Sequence, residues 1–411
     1  MARARKGQYF NVVVVGGGFG GVSAARKLAK NPRVRVTLVS DKDALVYYPL
    51  LYATATGASR RISSIPLSKI FENLRVTVIH DTVVGLDVSR KLVVGKKGQY
   101  QYDSVIFALG VVTNYFGIGG LKERSWSIKS PEGIRAFRRH LHNELVTTKH
   151  FDKHYVVVGA GPTGVELAAS LKDYLLRIGA WHGLKQHRVN ITLIEAAPRV
   201  LPRMSQQSSA AALKRLHALG VHVLLGTTVK RLNDETFVAG ERTIPTETVV
   251  WTSGVSNHPF YARNSDVFRL NERGIVVVNE YLEARPDIFV IGDNAATKYG
   301  GLAQTAISEG RYVARVIAAR QAKKTPKVYM PTLPFSVVPV GHQWAVLERG
   351  SLRFSGLAAA TVRKVADFVG YQDILPFGPA LNLWLSERET EEFTCELCQK
   401  NNNSSRVAQS P

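Results

Sequence analysis

Twice along this chain an unbroken apolar run ends in glycine and a helical period takes over. Val12 to Val15 is the first run, with the all-apolar pattern of a strand buried on both faces. It leads into Gly16-Gly17-Gly18-Phe19-Gly20-Gly21, after which Val22, Ala25, Leu28 and Ala29 recur at the spacing of one helix face. A second strand, "VRVTLV" (Val34 to Val39), completes a predicted βαβ unit. The same order returns at Tyr155 to Val158, with Gly159-Ala160-Gly161-Pro162-Thr163-Gly164 as the turn. Val165, Ala168, Ala169 and Leu171 begin its helix, and "VNITLIE" is the following strand, ending in Glu195. The gap before that strand is longer than in the first unit and holds "RIGAWHGLKQHR", which reads as a loop insertion. From about Val328 the pattern changes. "LPFSVVPVGHQWAVLERGSLRFSG" predicts short strands joined by hairpin turns, and "LAAATVRKVADFVGY" and "PFGPALNLWLSE" predict short apolar or amphipathic helices.

Each turn contains G-x-G-x-x-G: Gly16, Gly18 and Gly21, then Gly159, Gly161 and Gly164. The first glycine permits the tight turn, the second lets a pyrophosphate approach the backbone, and the third lets helix and strand pack closely. Free N–H groups at the helix N-terminus then receive the phosphates. The motif alone is a weak signal; a strand before it, a helix after it and a second strand at the right distance make it a strong one. At the end of the next strand, Glu195 suits the ribose hydroxyls of a dinucleotide and repels a 2′-phosphate, favouring NADH over NADPH. Arg199, four residues on, works against that preference. In the first unit the equivalent strand ends in Ser40-Asp41, and Asp41 reaches an adenosine ribose if the strand end shifts by one residue. Two units mean two dinucleotides, and these residues do not say which is which.

At 411 residues the chain exceeds one compact core and suggests two or three domains. With 45% apolar and 21% charged residues it has the composition of a folded soluble protein. Lys and Arg number 54 against 32 acidic residues, a net charge of +22, which admits nucleic acid, an anionic membrane surface or acidic small molecules as partners. The basic residues are scattered, apart from the opening "MARARK", so a generally positive surface fits better than a dedicated nucleic-acid arm. No apolar run reaches the roughly 18 residues of a transmembrane helix, and the N-terminus lacks a signal-peptide hydrophobic region. The expectation is a cytoplasmic protein whose membrane contact is peripheral. Only Cys395 and Cys398 occur, which excludes a disulfide framework and points to a reducing compartment. That pair lacks a second pair or a nearby histidine to complete a zinc site, and the polar tail from 395 to 411 is expected to be disordered. The 11 histidines are dispersed, so no metal centre is expected.

Beyond the turns, five segments carry a resemblance: "YYPLLYATATG" (Tyr47 to Gly57), "VIFALG" (Val105 to Gly110), "VVWTSGV" (Val249 to Val255), "DIFVIGDNA" (Asp287 to Ala295) and "GLAQTAISEGRYVARVI". With these the chain resembles the two-dinucleotide flavoprotein reductases and, among them, the type II NADH dehydrogenases, which are NADH:quinone oxidoreductases. The resemblance is clear from about Phe10 to Gly310. It implies an α/β protein with two Rossmann-like (GR2-type) domains, the NADH domain inserted in the FAD domain, and a smaller C-terminal α+β domain. The implied division is 8–112 and 268–325 for FAD, 113–267 for NADH and 326–394 for the C-terminal domain.

The resemblance also implies roles for residues. FAD would be held by Gly16, Gly18, Phe19, Gly20, Gly21, Ser40, Asp41, Pro49, Leu50, Val83, Ala108, Gly110, Gly292, Asp293, Gln304 and Thr305. Asp293 would take a ribityl hydroxyl, and the helix beginning near Gln304 would stabilise negative charge on the reduced ring. NADH would meet Gly159, Gly161, Pro162, Thr163, Gly164, Glu166, Glu195 and Gly254. Glu166 and Gln304 are the implied catalytic residues; a plain helix-terminal carboxylate, favoured by the macrodipole, is the other reading of Glu166. The family's quinone motif Ala-Gln-x-Ala-x-Gln is matched at Ala303, Gln304 and Ala306, with Ser308 in place of the second Gln. Hydride transfer from nicotinamide to flavin draws its reactivity from the cofactors, and the protein supplies alignment and a dry site. The absence of cysteine from Met1 to Thr394 argues against disulfide-reductase and sulfide-oxidising relatives of this architecture.

The family's C-terminal helices dip into the bilayer. Here Phe368, Tyr371, Phe377, Leu381, Leu383, Trp384 and Leu385 are the candidates for such a face, and a core-packing or homodimer helix is the competing reading. Arg363, Lys364 and Arg388 lie nearby, opposed by Asp367, Asp373 and Glu387. The expected acceptor is a quinone, on the cytoplasmic face of a membrane. The alternatives are a soluble electron carrier or oxygen, or an NADH-sensing binding protein resembling apoptosis-inducing factor. No specific nucleic acid is expected.

Overall fold

Val12 to Val15 are at most 2% exposed because layers cover both faces of their sheet. Val12 and Val14 pack with the helices Phe19–Leu28 and Ala303–Gln321, while Val13 and Val15 pack with Phe107, Phe260 and Phe268. This period-two division is the geometry of a strand. The computed structural model describes residues 9–390 except 153, 185–187 and 234–235; the tail from 395 to 411, with Cys395 and Cys398, lies outside the described residues.

The first sheet has the order Glu283–Arg285, Ile288–Val290, Ser104–Phe107, Phe10–Val15, Val34–Ser40, Val76–His80. Its neighbours are parallel except for the hairpin of the first two strands. The second sheet is wholly parallel, in the order Val221–Leu224, Ile191–Ile194, Tyr155–Val158, Thr248–Trp251. Its central strand divides its side chains in the same way, Tyr155 and Val157 to one core, Val156 and Val158 to another.

The chain leaves the first sheet through Val111–Thr113 and returns through Val255–Asn257, and these two strands pair antiparallel. Ile288–Val290 then adds itself beside Ser104–Phe107. The second unit is thus inserted in the first, the α/β arrangement expected. In each sheet the order reverses beside a glycine-turn strand, opening a crevice at the carboxyl ends where α/β sheets bind ligands.

The first five residues of the supposed loop insertion "RIGAWHGLKQHR" instead finish the helix Pro162–Trp181. Long-range contacts favour the extra turn. Ile178 is buried, Gly179 lies so near Phe151 that a Cβ would stand 2.4 Å from its ring, and Arg177 donates to the Thr56 carbonyl at 2.9 Å.

In the C-terminal third, Ser336–Pro339, Ala345–Arg349 and Leu352–Gly356 form an antiparallel meander, followed by the helices Leu357–Ile374 and Phe377–Leu385. The expected apolar face is only partly outward. Tyr371 is fully buried, stacked on Tyr47 at 4.7 Å, with its hydroxyl donating to the Ile62 carbonyl. Arg363 is likewise buried. Phe377 and Leu385 are exposed, as are Leu357, Val365 and Val369.

Candidate active site

The two turns have one steric anatomy. Gly16 and Gly159 take φ of +110° and +101°, which favours glycine, and each lies against the neighbouring strand's exit. A Cβ at Gly16 would stand 2.3 Å from the Ala108 oxygen; at Gly159 it would stand 2.8 Å from the Ser253 Cβ. At Gly21 and Gly164 it would stand 2.0 and 1.8 Å from the carbonyl oxygen of the turn's own first glycine. The middle glycines differ: around Gly18 and Gly161 nothing lies within 4 Å of a Cβ. The chain therefore does not itself require glycine there, whereas a ligand lying on the backbone would.

The helix ends agree. Two helices elsewhere are capped by serines, Ser130 accepting from the Gly133 N–H and Ser205 from the Ser208 N–H, while Ala303–Gln321 and Leu357–Ile374 have no side-chain cap. Phe19–Leu28 and Pro162–Trp181 have no side-chain cap and no acidic residue in the first turn. Their free N–H groups and positive dipole ends suit a pyrophosphate. On these observations the residues present fit two dinucleotides.

Around the first turn the structure gathers most of the residues expected there. Ala108 donates its N–H to the Val15 carbonyl, and Ser40 Oγ lies 2.9 Å from where a Gly17 Cβ would be. Asp41 is exposed at the strand end, and Val83 is in the core with Val15 and Val39. Gly20 faces Ile291 and the Ala306 carbonyl, so the helix Ala303–Gln321 roofs the turn. Gly292 and Asp293 begin a short 3₁₀ turn, Gly292–Asn294. Burial pushes the Asp293 carboxyl up, and it accepts from the Gly301 N–H at 3.1 Å. Thr305 donates to the Tyr299 carbonyl, and the amide of Gln304 pairs with both backbone groups of Phe335 at 3.1 Å each. Ser308 is half-buried one turn along that helix.

Two residues here were not anticipated. Glu309 is fully buried, accepting from the Gly292 N–H at 2.6 Å and the Thr297 hydroxyl at 2.7 Å; burial pushes it up to about 7. Asn294, also fully buried, accepts from the Gly110 N–H at 2.8 Å and donates to the Gly110 carbonyl and Asn257 Oδ1, both at 2.6 Å. It thereby ties both interdomain strands to the Gly292-Asp293 turn. The one available signal was a polar residue directly after a buried strand and its Gly-Asp.

Around the second turn, Glu195 reaches back to accept from the Ala160 N–H at 2.6 Å and from the Ala197 N–H at 2.9 Å. Arg199 donates to the Met204 and Pro202 carbonyls, both at 2.7 Å, so its guanidinium holds its own loop. Gly254, at φ +66°, is packed against Asn114 and Phe116. Pro162 is exposed and Thr163 half-buried.

Glu166 stands apart from that rim. It is buried at 6% exposure, and its Oε1 lies 3.5 Å from Nη1 of Arg363. The same guanidinium lies 2.8 Å from Asp367 and donates to the carbonyls of Pro49 and Val337. Arg363 thus joins four segments: the second-turn helix, the Pro49-Leu50 segment, the meander and its own helix. An arginine keeps its charge, and one guanidinium balances one carboxylate. Burial pushes both carboxyls up, Glu166 to about 8. The closer contact belongs to Asp367. Glu166 lies beyond the first turn of its helix, which holds no acidic residue. Arg363 and Asp367, one helical turn apart, carried no local sign of the role.

The family described as pyridine nucleotide-disulphide oxidoreductase matches residues 10–310. Among curated relatives, the type II NADH:quinone oxidoreductase Ndh of Mycobacterium tuberculosis is 32% identical over 379 residues, covering 85% of this chain and 81% of that protein. The type II NADH:quinone oxidoreductase of Staphylococcus epidermidis strain RP62A is 30% identical, covering 76% and 82%. Among solved structures, NDH2 of Plasmodium falciparum in complex with NADH has a TM-score of 0.80 at 17% identity, covering 92% of this chain and 98% of that one. The sulfide:quinone oxidoreductase of Aquifex aeolicus has a TM-score of 0.76 at 18% identity, covering 89% and 91%. These two show likeness of fold.

Proposed function

The chain belongs to the pyridine nucleotide-disulphide oxidoreductase family, and from that premise we propose that it oxidises NADH through FAD and reduces a quinone. The observation that carries this reading is the doubled turn, whose middle glycine faces open space and whose helix lacks a cap. Bound FAD would supply the ring that accepts hydride from NADH and passes electrons on. The acceptor is read from relatives named NADH:quinone oxidoreductases, in a chain without cysteine up to Thr394.

On this reading residues 8–112 and 268–325 hold FAD, 113–267 admit NADH and 326–394 face the acceptor. Gly18 would leave room for the flavin pyrophosphate in the turn that Gly16 and Gly21 shape, Asp293 would hold the ribityl chain, and Glu195 would select the unphosphorylated adenosine ribose. Gln304 and Ser308 line the acceptor side. Quinone reduction takes two electrons and two protons. NADH brings the electrons with one hydrogen, and on this reading Glu166 supplies the remaining proton. Arg363 keeps that carboxyl in position.

The quinone is taken from the bilayer, with the C-terminal helices lying on its cytoplasmic face. Among the described residues no helix is long and apolar enough to cross a membrane. Leu357, Val365, Val369, Phe377 and Leu385 offer an outward apolar surface, and the +22 net charge favours anionic lipid. Replacing Val369 and Phe377 with Glu should abolish co-sedimentation with anionic vesicles; unchanged binding removes the membrane contact, and loss of a dimer in its place marks a homodimer face.

Rapid mixing tests the whole reading. NADH should bleach the flavin of the holoprotein, and a short-chain quinone should restore its colour within the turnover time. Bleaching followed by slow recovery with quinone would move the function to another acceptor or to NADH sensing.

A further inference from the structure

The second sheet offers different groups on the two sides of its glycine turn. Glu195 ends the strand Ile191–Ile194 on one side, and the Ser253–Gly254 bend follows Thr248–Trp251 on the other. With pyrophosphate at Gly161 and the adenosine ribose at Glu195, the nicotinamide nucleoside falls on the Ser253–Gly254 side. Ser253 abuts Gly159 there, so the bend is the wall of the crevice itself.

Two residues that no motif singled out meet at this bend. Trp126 bridges Val250 in parallel, with Trp126 N–H on the Val249 carbonyl and Trp251 N–H on the Trp126 carbonyl. The segment therefore runs on as an extra edge of the sheet, and Lys129 sits at its carboxyl end, the end at which α/β sheets bind ligands. Its Nζ donates to the Gly254 carbonyl at 3.0 Å and the Ser253 carbonyl at 3.4 Å. Among the described residues no carboxylate forms an ion pair with it, and burial lowers the ammonium to about 8.

Phe116 is the second. Its ring closes on Gly254 so tightly that a Cβ there would stand 2.6 Å away, yet the residue is 61% exposed. It also holds φ +54°, a left-handed conformation that bulky side chains rarely adopt. The strain is held in place locally: Asn114 Oδ1 accepts the Phe116 N–H at 2.8 Å, and the Asn114 carbonyl accepts from Trp251 Nε1 at 3.0 Å. Held in this costly conformation beside a crevice wall and edge-on to Trp251 at 6.4 Å, the aromatic ring still leaves most of its surface open.

We propose that Phe116 and Lys129 form the subsite for the nicotinamide nucleoside half of NADH, Phe116 as an apolar face and Lys129 as the donor to its ribose or adjoining phosphate. The inference rests on the second turn being the NADH site. It adds two binding residues to that site and divides the ligand between two patches, with Glu195 responsible for the adenosine half.

The test uses the FAD-loaded full chain and compares two ligands in the same variants. NADH affinity is read from the concentration dependence of flavin reduction, and ADP-ribose, which lacks the nicotinamide nucleoside's base, is read as a competitive inhibitor. F116A should weaken NADH about three- to tenfold, the range of one aromatic contact. K129M should weaken it by roughly tenfold, as expected for a lost charge-assisted hydrogen bond. F116A should leave ADP-ribose inhibition unchanged, and K129M should weaken it about as much as it weakens NADH, because ADP-ribose keeps that ribose and phosphate. F116Y and K129R should recover most of the NADH affinity. Unchanged NADH affinity in both single variants overturns the inference, and so does an equal loss for the two ligands in both, which marks general distortion. If NADH fails to reduce the wild-type flavin, the underlying reading falls, and this one with it.

Discussion

The two glycine turns begin alike and are closed differently. Over the first, the helix Ala303–Gln321 lies so close that a Cβ at Gly310 would stand 2.3 Å from the Gly20 carbonyl, and Ser23 donates to the Ile307 carbonyl. Phe19 and Gly20 are buried beneath it, whereas their counterparts Pro162 and Thr163 are exposed or half-buried. Each turn is served by one buried glutamate. Glu309, at the first, is held by a neutral N–H and a hydroxyl; Glu166, on the helix that follows the second, is held by a guanidinium from the helix Leu357–Ile374. The same backbone device is thus roofed in one place and open in the other. That difference suits a retained cofactor at the first turn and an exchanging substrate at the second.

The largest effects should come from the tightest glycines. G21V drives a side chain into the Gly16 carbonyl and should give protein without flavin, whereas G164V should keep its yellow colour but no longer be reduced by NADH; absorbance spectra before and after NADH separate them. Flavin loss in both would break the asymmetry. Next, R363M leaves Glu166 and Asp367 buried without their counter-charge, a defect of about 3–5 kcal/mol in denaturant unfolding. A smaller, more selective effect is expected of G161A. Its methyl meets no protein atom, so thermal stability should hold while KM for NADH rises by roughly tenfold through lost backbone contacts to phosphate. G18A, read by flavin dissociation, is its counterpart at the first turn. E195A should narrow the preference for NADH over NADPH, measured as the ratio of kcat/KM; an unchanged ratio removes Glu195 from the ribose.

The smallest effect concerns pH. The Glu309 carboxyl is raised from 4.5 to about 7 in the folded protein. Its contribution is therefore complete below the unfolded value and is lost as pH rises through about 7. Thermal stability should fall across that window in the wild type. E309Q should flatten the fall, its carbonyl accepting from Gly292 and its amide donating to Thr297. A similar decline in E309Q would assign the pH dependence elsewhere.

The βαβ units and the meander with its two helices were legible because each rests on local periodicity and glycine spacing; the inserted arrangement came only from the family resemblance. The turn residues lie within a few positions of one another, so their grouping was legible too. The end of the long second-turn helix was not: "RIGAW" looks like a helix ending, and contacts with Phe151 and Thr56 extend it. Tyr371 was a candidate for an outward face on the family resemblance, with core packing as the competing reading, and Tyr47, more than 300 residues earlier, claims it for the core.

Short-range order, the strand–turn–helix punctuation and the pairing of two nucleotide folds are properties of neighbouring residues, governed by steric limits that act over one or two turns of chain. The company kept by Asn294, Glu309, Arg363 and Lys129 is not. A buried polar group must find partners wherever the packed chain brings them, and for these four the partners come from other segments. Their roles therefore emerge only once distant segments are brought together, because burial, which makes an unpaired charge or amide costly, does not exist in the extended chain.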